Sequence, residues 1–181
     1  MRSLKVFKKL AIGVIATLLM SVVANAQEKG DIAAVLNQAV NTGNGHTNYG
    51  IGAKFQYNVT NPIRLEGSIT YFFPNEWYSS PIYQSSISMW DFSANGHYLF
   101  PVSDVVTLYP LAGLGILTTR NSVKSTDGNV DYSNSKFGLN LGGGVDFKLS
   151  DKFILNAEVK THTNNFFDRF VISVGLAYRF N

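Results

Sequence analysis

Three histidines, a glycine triplet and a scatter of charged side chains are the residues here with chemistry to offer. His46, His97 and His162 are too dispersed for a metal site, and the chain has no Cys to complete one. A histidine base needs a nucleophile beside it. His162 is followed by Thr163 and Asn164, with Asp168 beyond and no adjoining Ser, so His46 and His162 read as solvated loop residues. Asp127-Gly128-Asn129 reads as a turn and lacks the acidic spacing of a calcium loop. Gly142-Gly143-Gly144 lies in a strand-like pattern with no helix after it, which excludes a phosphate-binding loop. No catalysis, metal or cofactor is therefore expected. The charges are a different matter. Lys54, Arg64, Glu66, Asp91, Asp146, Lys148, Glu158, Lys160 and Arg179 all take the polar parity of alternating segments. With five basic and four acidic members, their expected chemistry is with one another, as a charge network on one face of a sheet. His97 shares that parity and is expected to be a hydrogen-bonded filler.

The elements that must position this network are strands. In residues 49–59 one parity reads Tyr49, Ile51, Ala53, Phe55, Tyr57, Val59, and the other Gly50, Gly52, Lys54, Gln56, Asn58. Alternate residues share a sheet face, so one side is apolar and the other polar. Residues 63–73, 137–149 and 172–180 repeat the pattern. Residues 90–100, 106–117 and 153–161 follow it less cleanly, and residues 31–41 least, with Gln38 on the apolar side. That makes eight strands of the length needed to cross a bilayer at a tilt.

The connections alternate in length. Residues 41–47, 74–86, 119–135 and 162–168 are expected as long loops, and residues 60–62, 101–104 and 150–152 as tight turns. A barrel with short periplasmic turns and long extracellular loops produces this alternation. Aromatic residues on the apolar parity collect at strand ends: Tyr57, Phe100, Phe147, Phe153, Tyr178 and Phe180 at one, Tyr49, Tyr71, Phe73, Trp90 and Phe137 at the other. Two aromatic belts around an aliphatic band match the two interfaces of a membrane. The apolar face is therefore expected to meet lipid and the charged face to line the lumen.

Residues 1–26 have the form of a cleavable signal peptide. Arg2, Lys5, Lys8 and Lys9 precede the apolar run of residues 10–23, and Ala24-Asn25-Ala26 supplies a cleavage site. Four of the 15 basic residues lie in that segment and all 12 acids lie beyond it, which leaves residues 27–181 with a net charge of −1. Nothing in that balance points to nucleic acid.

Tyr109-Pro110-Leu111-Ala112-Gly113-Leu114-Gly115, residues 137–147 with their glycine triplet, and the ending Val174-Gly175-Leu176-Ala177-Tyr178-Arg179-Phe180 resemble the small OmpA-like, porin-family outer-membrane barrels. The resemblance spans residues 27–181. It implies an all-β, eight-stranded antiparallel up-and-down transmembrane barrel with both termini in the periplasm. It also implies outer-membrane lipid, signal peptidase and the barrel-assembly machinery as partners. Tyr178 and Phe180 are similar to the aromatic signal that machinery reads, although Asn181 follows here. Two roles fit such a barrel: a plugged structural or surface-interaction protein acting through its loops, with ligands unnamed, or a narrow passive channel for small solutes. Inward Phe72, Tyr109, Leu111 and Leu117 favour the plugged form, because an eight-stranded interior is just wide enough for side chains to fill.

Overall fold

The computed structural model describes residues 30–41, 47–80, 83–125, 128–164 and 167–180. The expected signal peptide, His46, Asp127 and Asn181 lie outside these residues. Nine strands follow in order: β1 (Gly30–Asn41), β2 (Thr47–Thr60), β3 (Ile63–Ser80), β4 (Tyr83–Tyr98), β5 (Phe100–Pro101), β6 (Val106–Ser125), β7 (Gly128–Lys148), β8 (Phe153–Asn164) and β9 (Phe167–Arg179). Both β4 and the two-residue β5 pair with β6, so β5 prolongs the β4 wall past Leu99 and the walls number eight. Every pairing is antiparallel, and β1 pairs with β9 to close the sheet. Closure leaves no sheet edge in the barrel wall, which a strand structure in lipid requires.

The register sets the tilt. A path through paired residues from Gly30 crosses Tyr57, Leu65, Gly96, Ala112, Leu141, Thr161 and Phe170 and meets β1 again at Val40. This ten-residue offset forces the strands to lean by roughly 35–45° from the barrel axis. It also decides which inward side chains share a level, something alternation alone does not specify.

The two faces are inverted relative to a water-soluble fold. Inward Asp31, Ala33, Val35, Asn37 and Ala39 of β1 are buried, while Ile32, Ala34 and Leu36 face out. The outer surface carries Ile51, Leu65, Leu114, Leu139, Leu141 and Leu176. An apolar surface that encircles the molecule needs apolar surroundings. Aromatic side chains form a belt at each end. Tyr71 packs on Trp90 at 4.8 Å and Trp90 stacks on Phe92, while at the other end Tyr98 meets Phe100 at 4.7 Å and Tyr178 lies between Phe153 and Phe180.

The short connections are turns, two of them built alike. Ser103 Oγ accepts the Val106 N–H at 3.1 Å and Ser150 Oγ accepts the Phe153 N–H at 3.1 Å, local bonds that reverse the chain. The long connections differ from expectation. Residues 74–86, 119–135 and 162–168 are mostly strand: β3 runs to Ser80 and β4 starts at Tyr83, β6 ends at Ser125 and β7 starts at Gly128, and β8 and β9 are separated by residues 165–166 alone. They are hairpins that carry the ladder beyond the Tyr71–Trp90 belt. Past that belt residues 131–135 of β7 are exposed on both sheet faces, so nothing there enforces alternation and the strand signature fades. Arg120, within the long loop expected over residues 119–135, is a β6 residue whose guanidinium bonds Asp131 of β7 at 2.8 Å.

Candidate functional site

Inward side chains fill the lumen in tiers. Nearest the short turns lies a cavity of about 620 Å³, lined in part by Asp104, Lys148 and Arg179 and floored by Arg64 and Asp146. Arg179 Nε donates to Asp31 Oδ1 at 3.0 Å there. Arg64, on β3, reaches across to β7, where its Nη1 donates to Asp146 Oδ2 at 2.5 Å. Its Nε and Nη2 both lie against His97 Nδ1, at 3.1 and 3.0 Å, so that nitrogen is the acceptor. The guanidinium also sits 4.7 Å from the Tyr109 ring centroid, and His97 stacks on the same ring at 4.6 Å. Asn156 Nδ2 donates to Asp146 Oδ1 and to the Tyr109 hydroxyl, at 2.7 and 2.5 Å.

The next tier centres on Lys54. Its Nζ is 2.7 Å from Glu158 Oε2 and 3.4 Å from Glu66 Oε2, charge–charge contacts without aligned hydrogen-bond geometry. Gln56 and Asn95 donate to the two Glu66 oxygens at 2.9 and 3.0 Å, and the Tyr109 hydroxyl donates to Glu158 at 3.2 Å. Asn140 continues the chain, donating to Asn95 at 2.9 Å and pairing its Oδ1 with His162 Nδ1 at 2.8 Å. Glu66, His97 and Glu158 each bring one ligand-type atom within 4.8 Å of the others, a spacing that could surround a cation. The Lys54 ammonium already reaches both carboxylates and supplies that positive charge.

The tier nearest the long hairpins holds Lys160, Asp91 and Arg169. Asp91 accepts from Ser93 at 2.6 Å and from Arg169, whose guanidinium lies 5.0 Å from the Phe72 ring centroid. Ala39, Phe72, Met89, Leu117 and Val171 pack together at this level, with Ile87 against them. Taking so many charges out of water is costly unless they are paired. Asp31, Glu66, Asp91, Asp146 and Glu158 are matched in number by Lys54, Arg64, Lys160, Arg169 and Arg179, all buried save the half-buried Arg179.

Of the nine charges anticipated from parity, Lys54, Arg64, Glu66, Asp91, Asp146, Glu158 and Lys160 are buried in the lumen, and Arg179 sits at its rim. Lys148 does not join them. It ends β7 at the open mouth and pairs with the turn residue Asp151 at 2.8 Å, which holds that carboxyl below its usual range. His162, expected in solvent, is fully buried two residues along the inward parity from Lys160. Asp31 and Arg169 also belong to the lumen; Arg169 shares parity with Ser173 and Arg179, and that was the available signal. Tyr178 and Phe180 lie on the outer belt at the last strand's end.

Two large inward rings need glycine opposite them. A Cβ at Gly138 would stand 2.6 Å from His162 Nε2, and one at Gly144 would stand 2.5 Å from Tyr109 Cζ. Tyr109 and Gly144 are direct cross-strand partners, so neither can slide away. Gly144→Ala is expected to cost about 1–3 kcal/mol by overpacking, read from urea unfolding of the refolded barrel.

A family model described as the outer membrane protein beta-barrel domain matches residues 12–180. No curated protein sequence matches significantly. Among solved structures the chain is similar to Ail, the attachment invasion locus protein of Yersinia pestis, in its complex with the heparin analogue sucrose octasulfate: TM-score 0.64, 19% identity, covering 83% of this chain and 98% of that one. Neisserial surface protein A gives a TM-score of 0.62 at 18% identity, covering 83% and 96%. OprG from Pseudomonas aeruginosa gives 0.56 at 11%, covering 83% and 95%. At these identities the likeness shows the fold.

Proposed function

The chain belongs to the family of outer-membrane protein β-barrel domains, and from that premise we propose that it is a plugged barrel that presents its long hairpins at the cell surface. The observation that carries the plugged reading is the set of ties between distant walls. Arg64 of β3 reaches Asp146 of β7, Lys54 of β2 reaches Glu158 of β8, and Asp91 of β4 reaches Arg169 of β9. Each must part before a hydrated solute could pass. The competing reading, a narrow passive channel for small solutes, requires that parting to be easy.

The exposed polar side chains of the β6–β7 hairpin support a surface-interaction role. Thr118 and Ser135 hydroxyls bond at 2.9 Å, Tyr132, Ser133 and Asn134 are exposed, and Arg120 is neutralised by Asp131. Ail was solved with a polysulfated ligand. Arg120, the cation of this hairpin whose pairing is described, is engaged by Asp131 and is not free for such a ligand.

In this reading residues 1–26 are removed on export, and both termini and the short turns face the periplasm. The absence of Cys allows a direct check. Single cysteines introduced as Ser133→Cys and Asp104→Cys, both exposed positions, are expected to differ. A membrane-impermeant maleimide should label the first on intact cells and the second only after the outer membrane is opened. The reverse pattern would invert the orientation.

A further inference from the structure

Beyond the Tyr71–Trp90 belt β3, β4, β6 and β7 continue as a projecting sheet, and such a sheet has two edges. The β2–β3 ladder stops at Gly50–Phe72 and the β7–β8 ladder at Leu139–Thr163. Residues 74–80 of β3 and 128–138 of β7 thus have a strand on one side only, among the described residues. The two edges are built differently. β3 carries Pro74, which has no N–H, and its register with β4 shifts between Phe72 and Asn75 and again between Glu76 and Tyr78. Proline and bulges blunt an edge against strand addition. The β7 edge has no proline, and β6 and β7 pair from Val106–Phe147 to Ser125–Gly128 without a shift.

The turn end fixes which way its backbone groups point. The Lys148 N–H bonds Val105 O beside β6, and the Leu149 N–H bonds Phe153 O of β8. Successive residues of a strand face opposite neighbours, so with the register unbroken the odd residues of β7 turn away from β6. Ser133, Ser135 and Phe137 therefore aim both N–H and C=O into the open edge, and all three are exposed.

We propose that this β7 edge docks an extended segment of another protein as an added strand, standing above β8 and continuing its line. The proposal rests on the surface-presenting hairpins argued above and names the partner they fit. Evenly repeated N–H and C=O groups match another extended backbone, whereas glycan hydroxyls lack that repeat. A second copy in the same membrane does not fit. One edge pairs with itself only antiparallel, which sets two barrels head to head, while neighbours in a membrane point the same way. Ser133, Asn134 and Ser135 are small and uncharged, with exposed Tyr132 on one sheet face and Phe137 on the other. The partner segment is one with apolar side chains placed to meet those two rings.

Amide exchange of the unmodified barrel in nanodiscs tests the edge itself. Ser133, Ser135 and Phe137 should exchange faster than Tyr132, Asn134 and Lys136, whose amides face β6. Equal rates in the two sets would overturn the open edge. Random peptides of about ten residues, the length of a strand, panned on the same nanodiscs supply the probe. Enriched peptides should bind wild type and Ser135→Ala alike, bind Ser135→Pro about tenfold more weakly, and slow exchange at Ser133, Ser135 and Phe137. Proline is tolerated where an edge N–H faces solvent, so that variant keeps its β6 ladder. N-methylation of alternate peptide residues removes the same bonds from the other side and needs no variant at all. No enrichment over empty nanodiscs, binding indifferent to both changes, or slowed exchange elsewhere would each overturn the docking edge. Nanodiscs expose both barrel ends, so failed labelling of Ser133→Cys on cells would sink the surface reading and leave this binding intact.

Discussion

Asp91→Ala is expected to lower barrel stability by about 3–5 kcal/mol, the cost of breaking a buried ion pair from one side. Asp91 is the one carboxylate that reaches Arg169 among the described residues, and both side chains are buried. Removing it strands a guanidinium that already has two unpartnered nitrogens. The lost Ser93 bond adds about 1 kcal/mol at most and does not decide the outcome. Urea unfolding of wild type and variant refolded in the same lipid measures the difference. A loss below about 1 kcal/mol would place the pair in water, where exposed ion pairs contribute that little.

Glu158→Ala is expected to follow at the lower end of the same range, about 3 kcal/mol. Glu158 is buried, faces Lys54 at 2.7 Å and accepts from Tyr109. Lys54 keeps Glu66 at 3.4 Å, so its charge is not wholly abandoned, and that places this loss below the Asp91 one. Glu158→Gln should cost less again, since its amide oxygen still accepts from Tyr109. A double-mutant cycle with Lys54→Met separates the pair from its surroundings. If the two charges matter chiefly to each other, the double variant loses clearly less than the sum of the single ones. Simple additivity would mean that water already screens them.

Lipid made much of this fold legible in the sequence. Between the aromatic belts every outward position must be apolar, so Tyr49-Gly50-Ile51-Gly52-Ala53-Lys54 announces both its conformation and its faces. Beyond the belt that pressure ends, and Ser133, Asn134 and Ser135 look like loop while pairing as strand with Arg120, Thr119 and Thr118. The same loss of signal hid Arg169 and His162 at the hairpin end, where neighbouring Val171 and Thr161 blur the alternation. Membership of the lumen was readable one residue at a time from parity. Partnership was not: that Lys54 meets Glu158, and Arg64 meets Asp146, depends on the ten-residue offset between the two ends of the sheet. Lys148 shows the limit of parity, since it has the inward phase but lies where the wall ends and the Ser150 turn begins.

Asn95, Asn140 and Asn156 carry a lesson of the same kind. Each bonds polar side chains of two other strands that would otherwise stand apart, and each is buried. An amide on the inward parity reads in sequence as ordinary polar filling. Its value comes from offering both donor and acceptor at a point where ion pairs leave lone pairs unmet.

Planar-bilayer recording of the refolded wild-type barrel tests the closed lumen most directly. With the three cross-wall ties intact, no sustained conductance steps are expected above the bare-bilayer baseline at either voltage polarity. Regular, unitary openings from pure wild-type protein, altered by Glu158→Ala or Arg64→Ala, would show a hydrated path through the same residues and contradict the plugged barrel.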